Sequence, residues 1–175
     1  MIAAPVSAST FAMELQSFTT ESLMQPRLSA RSPADAIRLL AAALRDETDF
    51  LDGLSFYQCA LHREFCSNTY LGGGVAVPHA SVTHLKAPIF ALATLSHPIV
   101  WGASKTDVAR VVFLFAIRRG DTLGRLRLLA AIAQFAKSPD GIEAALTASD
   151  SSALYGALPG ETEPYNFSSS SEPNL

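Results

Sequence analysis

The 175-residue chain is notable first for what it lacks. It has only two cysteines, Cys59 and Cys66, too few for a disulfide framework. They read as reduced thiols behaving as small buried hydrophobes in a cytoplasmic protein. No apolar run approaches the roughly 20 residues that a bilayer-spanning helix needs. The longest, residues 111–117, suits a buried strand. The start, Met1-Ile2-Ala3-Ala4-Pro5, carries none of the basic residues of a signal peptide. There is no run of Lys or Arg, and the net charge is -3, which argues against a nucleic-acid surface. Neither a Walker loop, a serine nucleophile elbow nor a dinucleotide fingerprint is present. Gly72-Gly73-Gly74 lacks the following Lys-Ser or Lys-Thr of a P-loop, and no internal repeat is visible.

What is present is a globular composition, 49% hydrophobic and 17% charged, of a length suited to one domain with tails. Residues 1–26, rich in Ser, Thr and Ala, read as a mobile arm with a short helix over 11–18 and the start of an edge strand over 24–29. Residues 27–158 read as the domain, and 159–175, with Glu-Thr-Glu-Pro and a serine run, as a disordered tail. Ser32-Pro33 opens a helix, because Ser caps the first turn and Pro suits its first position. Ile37, Leu40 and Leu44 continue that helix as an apolar stripe. Asp52-Gly53 breaks the chain before a second helix over 54–64, with Leu54, Tyr57 and Leu61 on one face. Strands are expected over 89–95, turned by His97-Pro98, and over 110–117. A helix is expected over 122–136 with Leu126, Leu129, Ile132, Ala133 and Ala136 as its buried stripe. Ser138-Pro139 and Asp150 open two more. Strands and helices in this mixed order imply an α/β or α+β layered domain.

The stretch with chemistry in it runs from Arg63-Glu64 through Thr69 and Gly72-Gly73-Gly74 to Val75-Ala76-Val77-Pro78-His79. Pro78 fixes its own φ and extends the residue before it, so His79 leaves a strand end in a stiff frame. An imidazole with an ordinary pKa near 6.5 is available as a neutral nucleophile around pH 7. Arg63 offers a permanent fork of donors for phosphate oxygens. The glycines allow close backbone approach and can present N–H groups to an anion. Each residue also has a plainer reading. His79 suits a strand-end ring bonded to a carbonyl, Arg63 a solvated helix-end cation, Thr69 a turn cap, and Gly72 and Gly74 a tight loop.

This pattern resembles the fructose- and mannitol-type IIA domains of the bacterial phosphoenolpyruvate-dependent sugar phosphotransferase system, including their nitrogen-regulatory relatives. The matching residues are Arg63, Glu64, Thr69, Gly72, Gly74, Ala76, Pro78 and His79, without a gap. The looser resemblance covers about Leu28 to Leu158. It implies a single α/β domain, with a mixed sheet of about five strands and helices on both faces. It also implies a cytoplasmic phosphocarrier without an organic cofactor. His79 then accepts a phosphoryl group from a histidine phosphocarrier protein. It passes that group to a sugar-transporter IIB component or uses it as a signal to a regulatory target. Arg63 and Arg125 stand beside it, and Thr69, Gly72 and Gly74 bind phosphate. No nucleic acid and no membrane insertion are implied.

Two departures stand out. Family members usually carry a second histidine where this chain has Arg125, in Arg125-Leu126-Arg127-Leu128-Leu129. Arginine stays charged and cannot release a proton, but it can hold phosphate oxygens. Lys105-Thr106 replaces a frequent Asp-Gly turn. Both favour a regulatory docking module as the alternative to sugar transport. A metal reading of Cys59, His62 and Cys66 fails for want of a fourth ligand. His84 and His97 read as surface residues.

Overall fold

The computed structural model describes residues 14–48 and 52–160. A mixed six-stranded sheet runs in the order β1-β5-β6-β3-β2, with β4 also paired to β6. The strands are β1 (Met24–Leu28), β2 (Tyr70–Gly72), β3 (Val75–Ala76), β4 (His79–Val82), β5 (Ile89–Val100) and β6 (Val108–Arg118). The helices are α1 (Pro33–Glu47), α2 (Gly53–Cys66), α3 (Thr122–Ala136), α4 (Pro139–Thr147) and α5 (Ser151–Gly156). Among the described residues no helix is long and apolar enough to cross a membrane.

β6 is the centre. From Val111 to Ile117 no residue is more than 2% exposed. Successive side chains of a strand point to opposite faces, so both faces of the sheet are covered there. On one face Phe113 meets Phe90 and, edge to face at 5.8 Å, Phe135 of α3. β5 pairs antiparallel with β6, whereas β3 and β4 lie end to end along its other edge, both parallel. One short parallel edge thus presents the chain twice to the same strand, and the joint between the two pieces is Val77-Pro78.

The helices begin where their caps predict. Ser32, Asp52, Ser138 and Asp150 each accept a hydrogen bond from a first-turn amide. Such a cap contributes about 1 kcal/mol. Pro33 and Pro139 occupy first-turn positions, where the missing N–H has no partner to lose.

Several expectations need correction. Residues 14–26 are not an arm: Leu15, Leu23 and Met24 are buried, and Thr19 donates to the Phe90 carbonyl at 2.7 Å. The Gln16 side-chain amide donates to the carbonyls of Tyr155 and Leu158, tying this segment to the end of α5. The local element is a 3-10 turn, Leu15–Phe18. The arm reading of 1–13 and the tail reading of 161–175 lie outside the described residues. Pro98 does not end β5. The strand continues to Val100 across a register shift between Thr94 and Ile99, where proline forfeits no ladder bond. α2 buries Phe56 and Ala60 and leaves Leu54 exposed. Cys59 and Cys66 are both exposed, because the Phe56–Ala60 phase of the helix turns them away from the core. α3 buries Leu128, Ala131, Ile132 and Phe135 and turns Leu126 to solvent.

Phe113 fills the space between strand and helix, so Phe113→Ala is expected to cost about 3–5 kcal/mol in denaturant unfolding. A loss below about 1 kcal/mol would mean that α3 does not rest on this ring.

Candidate functional site

His79 begins β4 opposite Phe115, and the Phe115 amide donates to the Pro78 carbonyl at 3.1 Å. Val77 and Pro78 are buried. The turn before the histidine is therefore clamped from below. The imidazole lies flat on the Phe115 ring, with centroids 4.7 Å apart and planes 6° from parallel. Its Nδ1 stands 3.0 Å from the Val77 carbonyl. A carbonyl only accepts, so this bond assigns the proton to Nδ1 and the lone pair to Nε2. Among the described residues Nε2 makes no hydrogen bond. The ring is half-buried, and that burial is the largest cause holding its pKa below the ordinary 6.5. The Val77 bond and the Glu64 carboxylate pull the other way, while the charges of Arg63 and Arg125 add to the depression.

The two arginines whose charges act on the ring come from different helices. Arg63 sits in the last turn of α2, where its Nη1 donates to the Ser67 carbonyl at 2.7 Å. That bond closes the helix end and limits where the guanidinium can go. Arg125 stands in the first turn of α3 after the Asp121 cap, exposed, at a small polar cleft shared with Ser81, Arg118 and Thr122. Neither is in an ion pair among the described residues. Two fixed cations thus lower the ring's affinity for a proton, and neither is in contact with a carboxylate among the described residues.

Glu64 is turned the other way. Its carboxylate accepts from the Thr69 amide at 2.9 Å, the Thr69 hydroxyl, and the Trp101 indole at 3.0 Å. The Thr69 carbonyl in turn accepts from the Val77 amide at 3.0 Å. One half-buried network therefore joins the end of α2, the start of β2, and the residue whose carbonyl orients His79. Thr69 is 7% exposed and its hydroxyl proton is engaged on Glu64, so it is not the free phosphate donor expected from the sequence. The roles of Glu64 and Trp101 were not foreseen. The visible signals were a carboxylate beside Arg63 and the chain's single tryptophan.

The glycines also lie elsewhere. Gly72, Gly73 and Gly74 have φ of 100°, 61° and 83°, the left-handed region that side chains resist, and they form the hairpin turn between β2 and β3. The Gly74 carbonyl accepts from Arg110 and Val111, and its amide donates to the Tyr70 hydroxyl. His79 pairs with Phe115, five residues farther along β6 than Arg110. At a strand rise of about 3.3 Å per residue that is roughly 17 Å. The glycines shape the hairpin and do not form a cradle around the histidine. Cys66 Sγ lies 3.8 and 3.9 Å from the two ring nitrogens of His62, but the described residues contain no group of three or more side chains fit to hold a metal.

Two measurements follow. In an NMR pH titration His79 is expected to protonate below 6.5, and Arg125→Gln to move its midpoint upward by removing a repelling charge. Thr69→Val is expected to lower unfolding free energy by about 1–2 kcal/mol by leaving Glu64 short of a donor, with the His79 midpoint little changed.

The model of the family described as "Phosphoenolpyruvate-dependent sugar phosphotransferase system, EIIA 2" matches residues 17–159. The chain is 28% identical over 133 residues to the nitrogen regulatory protein of Bradyrhizobium diazoefficiens, covering 76% of this chain and 86% of that protein. It is 32% identical over 80 residues to the transcriptional regulator ManR of Bacillus subtilis, but that match covers 46% of this chain and only 12% of the regulator. Among solved structures, the nitrogen regulatory protein IIA-Ntr from Neisseria meningitidis shares the fold, with a TM-score of 0.73 at 20% identity over 82% of this chain and 97% of that one. With the family model matching most of its length, the chain belongs to the EIIA 2 family of the phosphoenolpyruvate-dependent sugar phosphotransferase system.

Proposed function

We propose that the protein is a phosphohistidine carrier that accepts a phosphoryl group on Nε2 of His79. One observation carries this reading. The ring is held by Nδ1 on the Val77 carbonyl, has its affinity for a proton lowered by burial and by the charges of Arg63 and Arg125, and leaves its other nitrogen without a hydrogen bond among the described residues. In the transfer step the Nε2 lone pair forms the new N–P bond. The N–P bond of a donor phosphohistidine breaks, and its electron pair returns to the donor imidazole. The proton stays on Nδ1, donated to the Val77 carbonyl, throughout, so the receiving ring becomes cationic beside the dianionic phosphoryl group. Arg63 and Arg125 then balance the phosphoryl oxygens. The chemistry calls for no organic cofactor. The donor is a histidine phosphocarrier protein, and the onward partner is a transporter IIB component or a regulatory target, in the cytoplasm.

A second reading has its own observation. Arg125 stands where the family usually has a histidine, and a permanent cation stabilises the phosphorylated form without offering a proton for release. The relative that matches over most of both chains is named a nitrogen regulatory protein. A module that holds its phosphate and signals by docking fits both facts.

The test is to mix the protein with phosphoenolpyruvate, the first enzyme of the system and its histidine carrier, and to follow intact mass. One acid-labile phosphate is expected on the wild type and none on His79→Ala. Labelling that persists in His79→Ala would discard the site. Arg125→His is expected to speed onward transfer; an unchanged rate would show that the arginine does not slow release.

A further inference from the structure

Another cleft lies at the other end of β4 from His79. It encloses about 240 Å³ between the start of α2 and the ends of β4 and β6. Asp52, Phe56 and Cys59 line it from the helix side, at the four- and three-residue spacing that puts side chains on one helical face. Ser81, Val82 and Arg119 line it from the sheet side, and His79 does not line it. Phe56 is 2% exposed, so the inner wall is apolar. The rim carries one formal charge of each sign. The Asp52 carboxylate accepts from the Leu54 amide and the Ser55 hydroxyl. A carboxylate has about four acceptor positions, so roughly half of them stay open. The Ser55 bond, with smaller help from the amides, holds that carboxyl below the ordinary carboxylate range, so it is anionic at neutral pH. Arg119 donates its backbone amide to the Val82 carbonyl at 2.7 Å, which fixes its place at the rim. Neither Asp52 nor Arg119 is in an ion pair among the described residues, so the two charges share a cleft without meeting.

The occupant that suits such a cleft follows from its charges. An anion is drawn by Arg119 but repelled by Asp52, and a cation meets the reverse. An uncharged molecule leaves both groups without a partner. A molecule that carries both charges on an apolar stem answers each of them and covers the Phe56 wall. The volume is below the roughly 300–1,000 Å³ of pockets for drug-sized ligands, which suits a free amino acid better than a nucleotide. We propose that this cleft binds a small zwitterion of the amino-acid class, with its ammonium group on Asp52, its carboxylate on Arg119 and its stem along Phe56 and Val82. The site does not require His79 to carry phosphate.

The experiment is calorimetric titration of the full chain with four probes. L-leucine and 6-aminohexanoate are zwitterions with a short and a long separation of charge. 4-Methylpentanoate and 3-methylbutylamine are leucine without its ammonium group and without its carboxylate. At least one zwitterion is expected to bind with a Kd of roughly 0.1–1 mM, and at least about tenfold more tightly than either half-molecule. Asp52→Asn keeps a capping side chain but removes the charge. Arg119→Gln removes the cation and keeps the backbone amide. Each is expected to weaken binding about tenfold with unchanged circular dichroism, and Arg119→Lys to restore most of it. Amide NMR shifts are expected at Phe56, Cys59, Ser81 and Val82. In Cys66→Ser, where Cys59 is the remaining thiol, the bound zwitterion is expected to slow alkylation by iodoacetamide several-fold. Zwitterions that bind no better than the half-molecules would overturn the proposal. So would charge variants that bind like the wild type, shifts confined to other residues, or an unslowed Cys59. If Asp52→Asn does not fold, Arg119→Gln and its lysine rescue decide the matter alone.

Discussion

The hydrogen bond between His79 Nδ1 and the Val77 carbonyl governs the site, and it depends on β6. β3 and β4 lie end to end along one edge of that strand, and the Phe115 amide holds the Pro78 carbonyl between them. The bend at Val77-Pro78 therefore cannot relax without breaking ladder bonds on both sides. Phe115 then supports the ring from beneath at stacking distance. A histidine on a loose loop would sample both tautomers and many orientations. This one leaves a single nitrogen without a hydrogen bond among the described residues, because its other nitrogen and its flat face are both occupied.

Charge is arranged around that ring by keeping unlike groups apart. Arg63 and Glu64 are neighbours in sequence, yet they serve opposite ends of the same device. Arg63 donates to the Ser67 carbonyl while its charge acts on His79, whereas Glu64, half-buried, accepts from Thr69 and Trp101. Had the carboxylate faced the ring and paired with the arginine, the site would have been neutral and of little use to an anion. This half-buried carboxylate is stabilised by the three donors that meet it. The same network fixes Thr69, whose carbonyl holds the Val77 amide, so a structural carboxylate helps to set the aim of the His79 imidazole. Arg125 completes the cationic side from another helix.

Much of the frame was legible in the chain. Ser32-Pro33, Ser138-Pro139 and Asp150 mark helix starts through interactions that are complete within a few residues. The apolar run centred on Val111–Ile117 can only be a strand covered on both faces. The motif ending in Pro78-His79 marked the candidate residue, since proline and the short β-branched segment act locally. The phase of α3 was misread because Leu123, Leu126, Leu128 and Leu129 supply apolar residues at more than one angle. Periodicity cannot choose between two apolar faces; contact with Phe113 does. The cysteines were misplaced for a similar reason, since hydrophobicity favours burial but α2 already buries Phe56 and Ala60. Pro98 looked like a strand end because a bulge, which removes the need for its amide, is a property of the pairing and not of the residue.

The chain by itself determined which residues are stiff, which are permanently charged, and where helices begin, because those properties belong to single residues and their immediate neighbours. Tertiary structure alone decided that the triple glycine turns a hairpin far from the histidine, that Thr69 answers to Glu64, and that the ring rests on Phe115. Each of these depends on which strand edge lies against β6 and in what register, a long-range pairing that fixes distances between residues remote in sequence.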